Sequence, residues 1–298
     1  MELGSPFSLP QRRAPRCGII HVAKGEVFLS LGAVILLAIV QGLTEFLPIS
    51  SSGHLVLAQY LLGVESPGVS LEVALHIGTL ISVVIVFWDD IFGLLRAVVS
   101  IVLDPYNRRS PATAAYRRLL FLLVVGSVPT GLLGVLFADT FELLFASPRF
   151  IGYALLVTGI ILVIGTMKQG KREMRDIGPV DALWVGLAQG LAITPGISRS
   201  GTTIAAGLFR NFDRDTATRL SFLLSLPAVL GAALLKTPEL LNDYATHPLS
   251  HVLLGIAVSA LVGVVAIRYL VALLKRGKLQ YFAYYVWAVG VLTIIFVQ

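Results

Sequence analysis

The sequence predicts an all-α polytopic membrane protein made of two inverted-topology repeats, each one re-entrant helical hairpin plus three transmembrane helices. Three observations lead there. First, 56% of the 298 residues are hydrophobic, only 13% are charged, and mean hydropathy is +0.85, whereas a soluble domain carries about 25% charged residues. Second, a shift of 148 positions lays Gln41-Gly42-Leu43 on Gln189-Gly190-Leu191 and Ile49-Ser50-Ser51-Ser52-Gly53 on Ile197-Ser198-Arg199-Ser200-Gly201 without a gap. Third, each of these polar stretches splits an apolar run into pieces too short to cross a bilayer, and three longer apolar runs follow it. An odd number of spans per repeat reverses the second half relative to the first, and inverted repeats of this kind hold their site between the halves.

In chain order, residues 1–25 stand apart. Pro6, Pro10 and Pro15 alternate with Arg12, Arg13 and Arg16, and the apolar core of a signal peptide is missing. They are expected to form a mostly disordered extension ahead of one membrane domain, residues 26–298, with repeat one at about 26–170 and repeat two at about 178–298. Residues 28–43 are apolar, polar residues 44–54 interrupt them, and 55–62 resume for barely two turns. Irregular backbone at membrane depth survives only when buried in protein or lining a wet cavity. Residues 71–91, 119–138 and 150–167 read as the first three spans, with His76 in the first and Pro129 expected to kink the second.

The pattern then repeats. Short helices at 182–193 and 203–209 flank polar residues 194–202. Spans follow at 220–235 (containing Pro227), 252–270 and 281–297. Lys and Arg collect in loops 104–118, 168–175, 210–219 and 275–278, which places these loops in the cytoplasm and 139–148 and 236–251 outside. Both termini then fall outside, against the basic character of residues 1–25. The net charge of +6 comes from these clusters, so membrane orientation and anionic lipid explain it and nucleic acid is not an expected partner. Cys17 is the single cysteine, which excludes an intrachain disulfide and a cysteine metal site.

The two polar loops carry the chemistry. Glu45 is the only carboxylate between Glu26 and Glu65, and an ionisable group at membrane depth is a functional candidate by default. Gln41, one turn earlier, can share its face; helix packing would also explain that amide. Ser50, Ser51 and Ser52 fall near a helix N-terminus, where hydroxyls and free N–H groups bind anions or simply cap the helix. His54 beside them is an acid, a base or a nucleophile candidate. In the second loop Arg199 offers a planar fork for phosphate oxygens, flanked by Ser198, Ser200, Thr202 and Thr203, with Gly196 and Gly201 permitting close backbone approach. One loop brings nucleophile and base, the other an anion clamp, a set that suits phosphoryl transfer. His76 can reach the site or pack. The Ser221/Ser225 pair on one helix face is explained by packing.

The stretch from Gln41 to His54, Gln41-Gly42-Leu43-Thr44-Glu45-Phe46-Leu47-Pro48-Ile49-Ser50-Ser51-Ser52-Gly53-His54, and the stretch Pro195-Gly196-Ile197-Ser198-Arg199-Ser200-Gly201-Thr202-Thr203 resemble the two signature motifs of the bacitracin-resistance family of undecaprenyl-diphosphate phosphatases. The likeness covers roughly residues 28–298 and includes Leu71-Glu72-Val73 through Val86-Phe87-Trp88, Ser221 through Pro227, and Phe282-Ala283-Tyr284-Tyr285. It implies an integral membrane enzyme that removes the terminal phosphate of a polyprenyl diphosphate outside the cytoplasmic membrane and so recycles the carrier lipid of cell-wall synthesis. It also implies help from a divalent cation, Mg2+ or Ca2+, and leaves room for a homodimer. Carried over by motif, Glu45, Ser51, His54, Ser198, Arg199, Ser200 and Thr203 form the active site. The family often has a glutamate where Gln41 stands, which leaves Glu45 as the principal metal carboxylate with Gln41 beside it. Ser51 and His54 both remain candidates for the nucleophile. Broken helices in an inverted repeat are also a transporter signature, so a polyprenyl-phosphate flippase or ion-coupled carrier is the rival reading.

Overall fold

A computed structural model describes residues 20–23, 26–64, 69–103, 110–168, 170–236 and 248–297. Within them the chain forms helices throughout, apart from one antiparallel pair of strands, β1 (Ile20–Ala23) and β2 (Glu26–Leu29). The extension expected to be disordered thus ends in a strand; residues 1–19 lie outside the described part. The first hairpin is α1 (Leu31–Thr44) and α2 (Ser51–Leu62), opened by the Ser30 cap, whose hydroxyl accepts from the Ala33 N–H at 3.2 Å, and closed by Gly63 at φ 66°.

The span expected over 71–91 is shorter than that. Helix α3 (Val69–Val86) ends there, and α4 (Trp88–Leu103) leaves at 90° to it. Hydropathy alone hides the break. Asp89 and Asp90 supply the reason: carboxylates favour the first turn of a new helix, and Asp90 is held by Arg219, whose Nε donates to Oδ2 at 2.8 Å. Helices α5 (Pro111–Leu136), α6 (Ala138–Phe145) and α7 (Pro148–Thr166) follow. The acidic loop expected at 139–148 is therefore mostly the short helix α6. Arg108 and Arg109 of the expected basic loop lie outside the described residues.

The second hairpin is α8 (Pro179–Leu191) and α9 (Arg199–Phe209), followed by α10 (Arg214–Leu235), α11 (Leu249–Lys275) and α12 (Gln280–Phe296). Arg219, expected in a loop, sits in α10. Most of the expected 236–251 loop is outside the described residues. Among the described helices α5, α7, α10 and α11 are long and apolar enough to cross a membrane, the bent pair α3–α4 passes as a unit, and α12 is apolar but shorter at 17 residues. Pro129 and Pro227 lie inside α5 and α10.

Each hairpin leans on a long helix of the other half: α1 packs on α11, and α8 on α5. The glycine of each Gln-Gly-Leu makes the crossing. A Cβ on Gly42 would come within 2.8 Å of the Ser259 carbonyl and Val262, and one on Gly190 within 2.6 Å of Leu133; only the smallest residue lets these backbones meet. Phe46, at the tip of the first hairpin, packs edge-on against Phe222 of α10 with centroids 5.7 Å apart.

The second hairpin is also tied at its open end. Asp181, buried in the first turn of α8, accepts from Arg172 at 2.6 and 3.1 Å, from Arg210 Nε at 2.7 Å and from the Gly178 N–H at 2.9 Å. Burial alone would raise its pKa, but these donors outweigh it and hold the carboxyl at about 2. A carboxylate depressed in the folded state stabilises above its ordinary pKa, and that contribution is lost as pH falls through about 2. Asp181→Asn should therefore destabilise by about 1–3 kcal/mol at neutral pH, because it removes the shared counter-charge of the partly exposed Arg172 and Arg210. Thermal melting in detergent checks this. The variant's deficit should shrink on titration from about pH 4 toward 2, and an undiminished deficit would contradict the assignment.

Candidate active site

The two hairpin tips meet. Between α1 and α2 the chain turns through Glu45–Ile49, and Ser50 adopts φ 71°, ψ 99° before capping α2 with its hydroxyl on the Gly53 N–H. In the second tip Gly196 takes φ +88° with Ile151 and Ala154 of α7 packed against it, a place where a side chain has no room. Thr158 of α7 fixes that turn: its hydroxyl donates to the Gly196 carbonyl at 2.9 Å and accepts the Ser198 N–H at 3.0 Å. Ser200 crosses between the tips, donating to the Leu47 carbonyl at 3.2 Å.

Glu45 is the centre of the meeting. Its side chain is 6% exposed. Oε2 accepts from Ser51 Oγ at 2.6 Å and from Gln41 Nε2 at 3.0 Å, and Oε1 pairs with Arg199 Nη2. His76 of α3 faces the same carboxylate, with Nε2 3.9 Å from Oε2 and Nδ1 held on the Glu72 carbonyl at 2.8 Å. Arg199 Nη1 is buried without a partner, as is Gln41 Oε1. An unpaired guanidinium nitrogen in a buried site is costly unless a ligand completes it, and a phosphate oxygen is the natural complement.

Glu45, Ser51, His76 and Arg199 border a cavity of about 1210 Å3, with Gln41 buried behind Glu45. Ser50, Ser51, Ser52, Ser198, Arg199, Glu45 and His76 line it; Gln59, Glu72 and Lys236 add polar groups; Leu55, Val56, Phe141, Phe145, Ile197 and Val229 supply apolar wall. A polar floor below apolar walls fits a molecule with an anionic head and a hydrocarbon tail.

Not every residue expected at the site faces it. His54 is absent from the cavity wall; its Nδ1 lies 2.8 Å from the Ser50 carbonyl and its Nε2 2.9 Å from the Tyr285 hydroxyl. Thr203 is fully buried and bonds Ser221 at 2.5 Å, fastening α9 to α10. Ser200 and Thr202 also lie behind the wall. Ser198 lines the cavity while its hydroxyl caps α9 on the Gly201 N–H. His76 is the imidazole that reaches Glu45, and Tyr285 reaches His54 from the far end of the chain. Only folding brings either close, although both lie in segments that resemble the family.

Oxygen positions beside Glu45 remain open. A carboxylate offers about four acceptor positions, of which Arg199, Ser51 and Gln41 take three, and Gln41 Oε1 is free. Among the described residues no three His, Cys, Asp or Glu side chains cluster to hold a metal by themselves. Glu45 and Gln41 are the residues that would hold a divalent cation, with phosphate oxygens and water completing its oxygen shell.

The family model of the bacitracin resistance protein BacA matches residues 34–292. The chain belongs to the BacA family. Among similar proteins, one of Alkaliphilus metalliredigens is 46% identical over 266 residues, covering 88% of this chain and 97% of its own length. One of Halothermothrix orenii is 46% identical over 265 residues, covering 88% and 96%. One of Methanosphaera stadtmanae is 40% identical over 273 residues, covering 90% and 98%. All three are named undecaprenyl-diphosphatase. Residues 34–292 include both hairpin tips and every residue placed around Glu45 above.

Proposed function

We propose that this chain is an undecaprenyl-diphosphate phosphatase, a multi-pass membrane hydrolase that releases the terminal phosphate and returns the monophosphate carrier lipid to cell-wall precursor synthesis. The observation that carries the reading is Ser51 Oγ at 2.6 Å from Glu45, beside an arginine with one nitrogen unpartnered, on the floor of an apolar-walled cavity. Family membership and the names of the relatives support the same substrate.

Ser51 attacks the terminal phosphorus. Glu45 Oε2 takes the Ser51 proton, the bond from phosphorus to the bridging oxygen breaks, and the lipid monophosphate leaves. Water then hydrolyses the phosphoserine to free phosphate. Arg199, with the N-terminal N–H groups of α2 and α9, holds the phosphoryl oxygens as charge moves onto them. Ser51 is preferred to His54 because both nitrogens of His54 are bonded elsewhere. A divalent cation held by Glu45 and Gln41 together with the diphosphate would neutralise charge.

The reading includes an active site open to the outer face of the cytoplasmic membrane and two halves of opposite topology. The ungapped internal match and the reciprocal packing of α1 on α11 and α8 on α5 support the repeat; the clustered basic loops support the orientation. The rival transporter reading needs no serine paired with a carboxylate.

The test uses right-side-out membrane vesicles and the purified protein in detergent. Undecaprenyl diphosphate added to the vesicle exterior should release phosphate outside, and chelation with EDTA should suppress release until Mg2+ or Ca2+ is restored. A cysteine replacing Lys171 in a Cys17→Ser background should react with an impermeant maleimide only after permeabilisation. Lipid translocation without phosphate release by purified protein would overturn the assignment in favour of a carrier.

A further inference from the structure

We propose that Tyr285 is a positioning residue for Ser51, acting through His54 and the backbone of Ser50; the inference rests on the phosphatase reading with Ser51 as nucleophile.

It starts from the backbone of Ser50. Among the described residues only Ser50 and Asn211 are non-glycine residues with positive φ, and Ser50 stands at φ 71°, ψ 99°. Such a conformation costs about 1–3 kcal/mol and persists only where its surroundings over-determine it. Here one residue holds it twice. The Ser50 carbonyl accepts the backbone N–H of His54 at 3.2 Å and lies 2.8 Å from the same residue's Nδ1.

The direction of each bond follows from chemistry. A carbonyl only accepts, so Nδ1 carries the proton and donates. A neutral imidazole then has a lone pair at Nε2 and accepts there. The Tyr285 hydroxyl, 2.9 Å away, is the donor. The two rings lie nearly parallel, 14° apart with centroids at 5.6 Å. Donation thus runs one way, from Tyr285 to His54 to Ser50, and fixes both the tautomer and the ring orientation.

Ser51 is the next residue. Rotation of the peptide that joins Ser50 to Ser51 would carry Ser51 Oγ off its 2.6 Å contact with Glu45. Displacements of about 1 Å at a reacting atom cost on the order of 100-fold in rate. Tyr285 belongs to α12, which packs on α7, and α7 also holds the second tip through Thr158. The last helix of the chain therefore sets the position of a nucleophile near its beginning without touching substrate.

A double-mutant cycle on purified full-length protein tests this. Tyr285→Phe removes only the hydroxyl, while His54→Asn keeps an amide N–H near the place of Nδ1 and drops the group facing Tyr285. Tyr285→Phe should lower kcat about 10-fold with KM within twofold of wild type, the signature of lost alignment rather than lost binding. His54→Asn should stay within about 10-fold of wild type, and adding Tyr285→Phe to it should change nothing further. His54→Ala should fall about 100-fold or more. All but His54→Ala should melt close to wild type; if His54→Ala does not fold, the Tyr285→Phe and His54→Asn cycle still decides. Wild-type rate in Tyr285→Phe, or independent multiplicative losses in the double variant, would overturn the proposal. So would inactivity of folded His54→Asn. Failure of the phosphatase reading looks different: wild-type protein would itself release no phosphate.

Discussion

Ser51→Ala should lower kcat for phosphate release by about a thousandfold or more, with the melting temperature near that of the parent protein. Ser51 opens α2, lines the cavity, and donates to Glu45 at 2.6 Å. Its removal frees one acceptor position on a carboxylate still held by Arg199 and Gln41, which costs stability only about 1 kcal/mol. No neighbour can take over. Ser50 spends its hydroxyl on the Gly53 N–H, and Ser52 bonds Ser50 at 3.3 Å with no carboxylate of its own. His54 is tied at both nitrogens. Single-turnover release from labelled undecaprenyl diphosphate measures the loss. A folded Ser51→Ala protein that keeps a tenth of the wild-type rate would remove Ser51 from the nucleophile's role. Acid-stable label on the wild-type chain, absent in the variant, would support a phosphoserine.

The hairpins were legible in the sequence because their signal is local. A polar break inside an apolar run too short to span has few solutions at membrane depth, and the internal match between the two breaks pointed to one shared site. Glu45 and Arg199 could be named for the same reason, since a carboxylate and a guanidinium in apolar surroundings need partners. What was not legible depends on contacts between distant segments. The turn at Phe87 is hidden because residues on both sides of it are apolar; Asp90 becomes a stop only where Arg219 of α10 waits for it. The acidic stretch at 139–148 looked like a loop because Asp139, Glu142 and Pro148 interrupt its apolar residues and its helix α6 is only 8 residues long. Proximity in sequence also misled over the histidines. His54 follows Ser51 by three residues, yet its ring turns back to the carbonyl one helical turn earlier. His76, in another helix, is the one that packing carries to Glu45.

Neutralising either member of the Glu45–Arg199 pair should cost both activity and stability, and neutralising both should restore only stability. The pair joins hairpins from the two halves, with side chains 6% and 18% exposed. Glu45→Gln keeps the shape but leaves a buried guanidinium without its counter-charge; Arg199→Gln leaves a buried carboxylate. Each should destabilise by about 3–5 kcal/mol. The double variant buries two neutral amides able to bond each other, so its melting temperature should recover most of the loss, a coupling that a double-mutant cycle reads directly. Activity follows a different logic. Losing Glu45 removes the group that takes the Ser51 proton, a loss of about 100- to 10,000-fold, and losing Arg199 removes the donor on the phosphoryl oxygens, about 100- to 1,000-fold. Pairing the two amides replaces neither function, so the stable double variant should be no faster than the slower single. Arg199→Lys separates charge from shape: it keeps the cation but loses the planar fork that lets one nitrogen hold Glu45 while the other faces substrate. It should melt near wild type and still turn over at least about tenfold more slowly. If the double variant regained activity along with stability, the pair would be a strut between the halves and the phosphate would have to be bound elsewhere in the cavity.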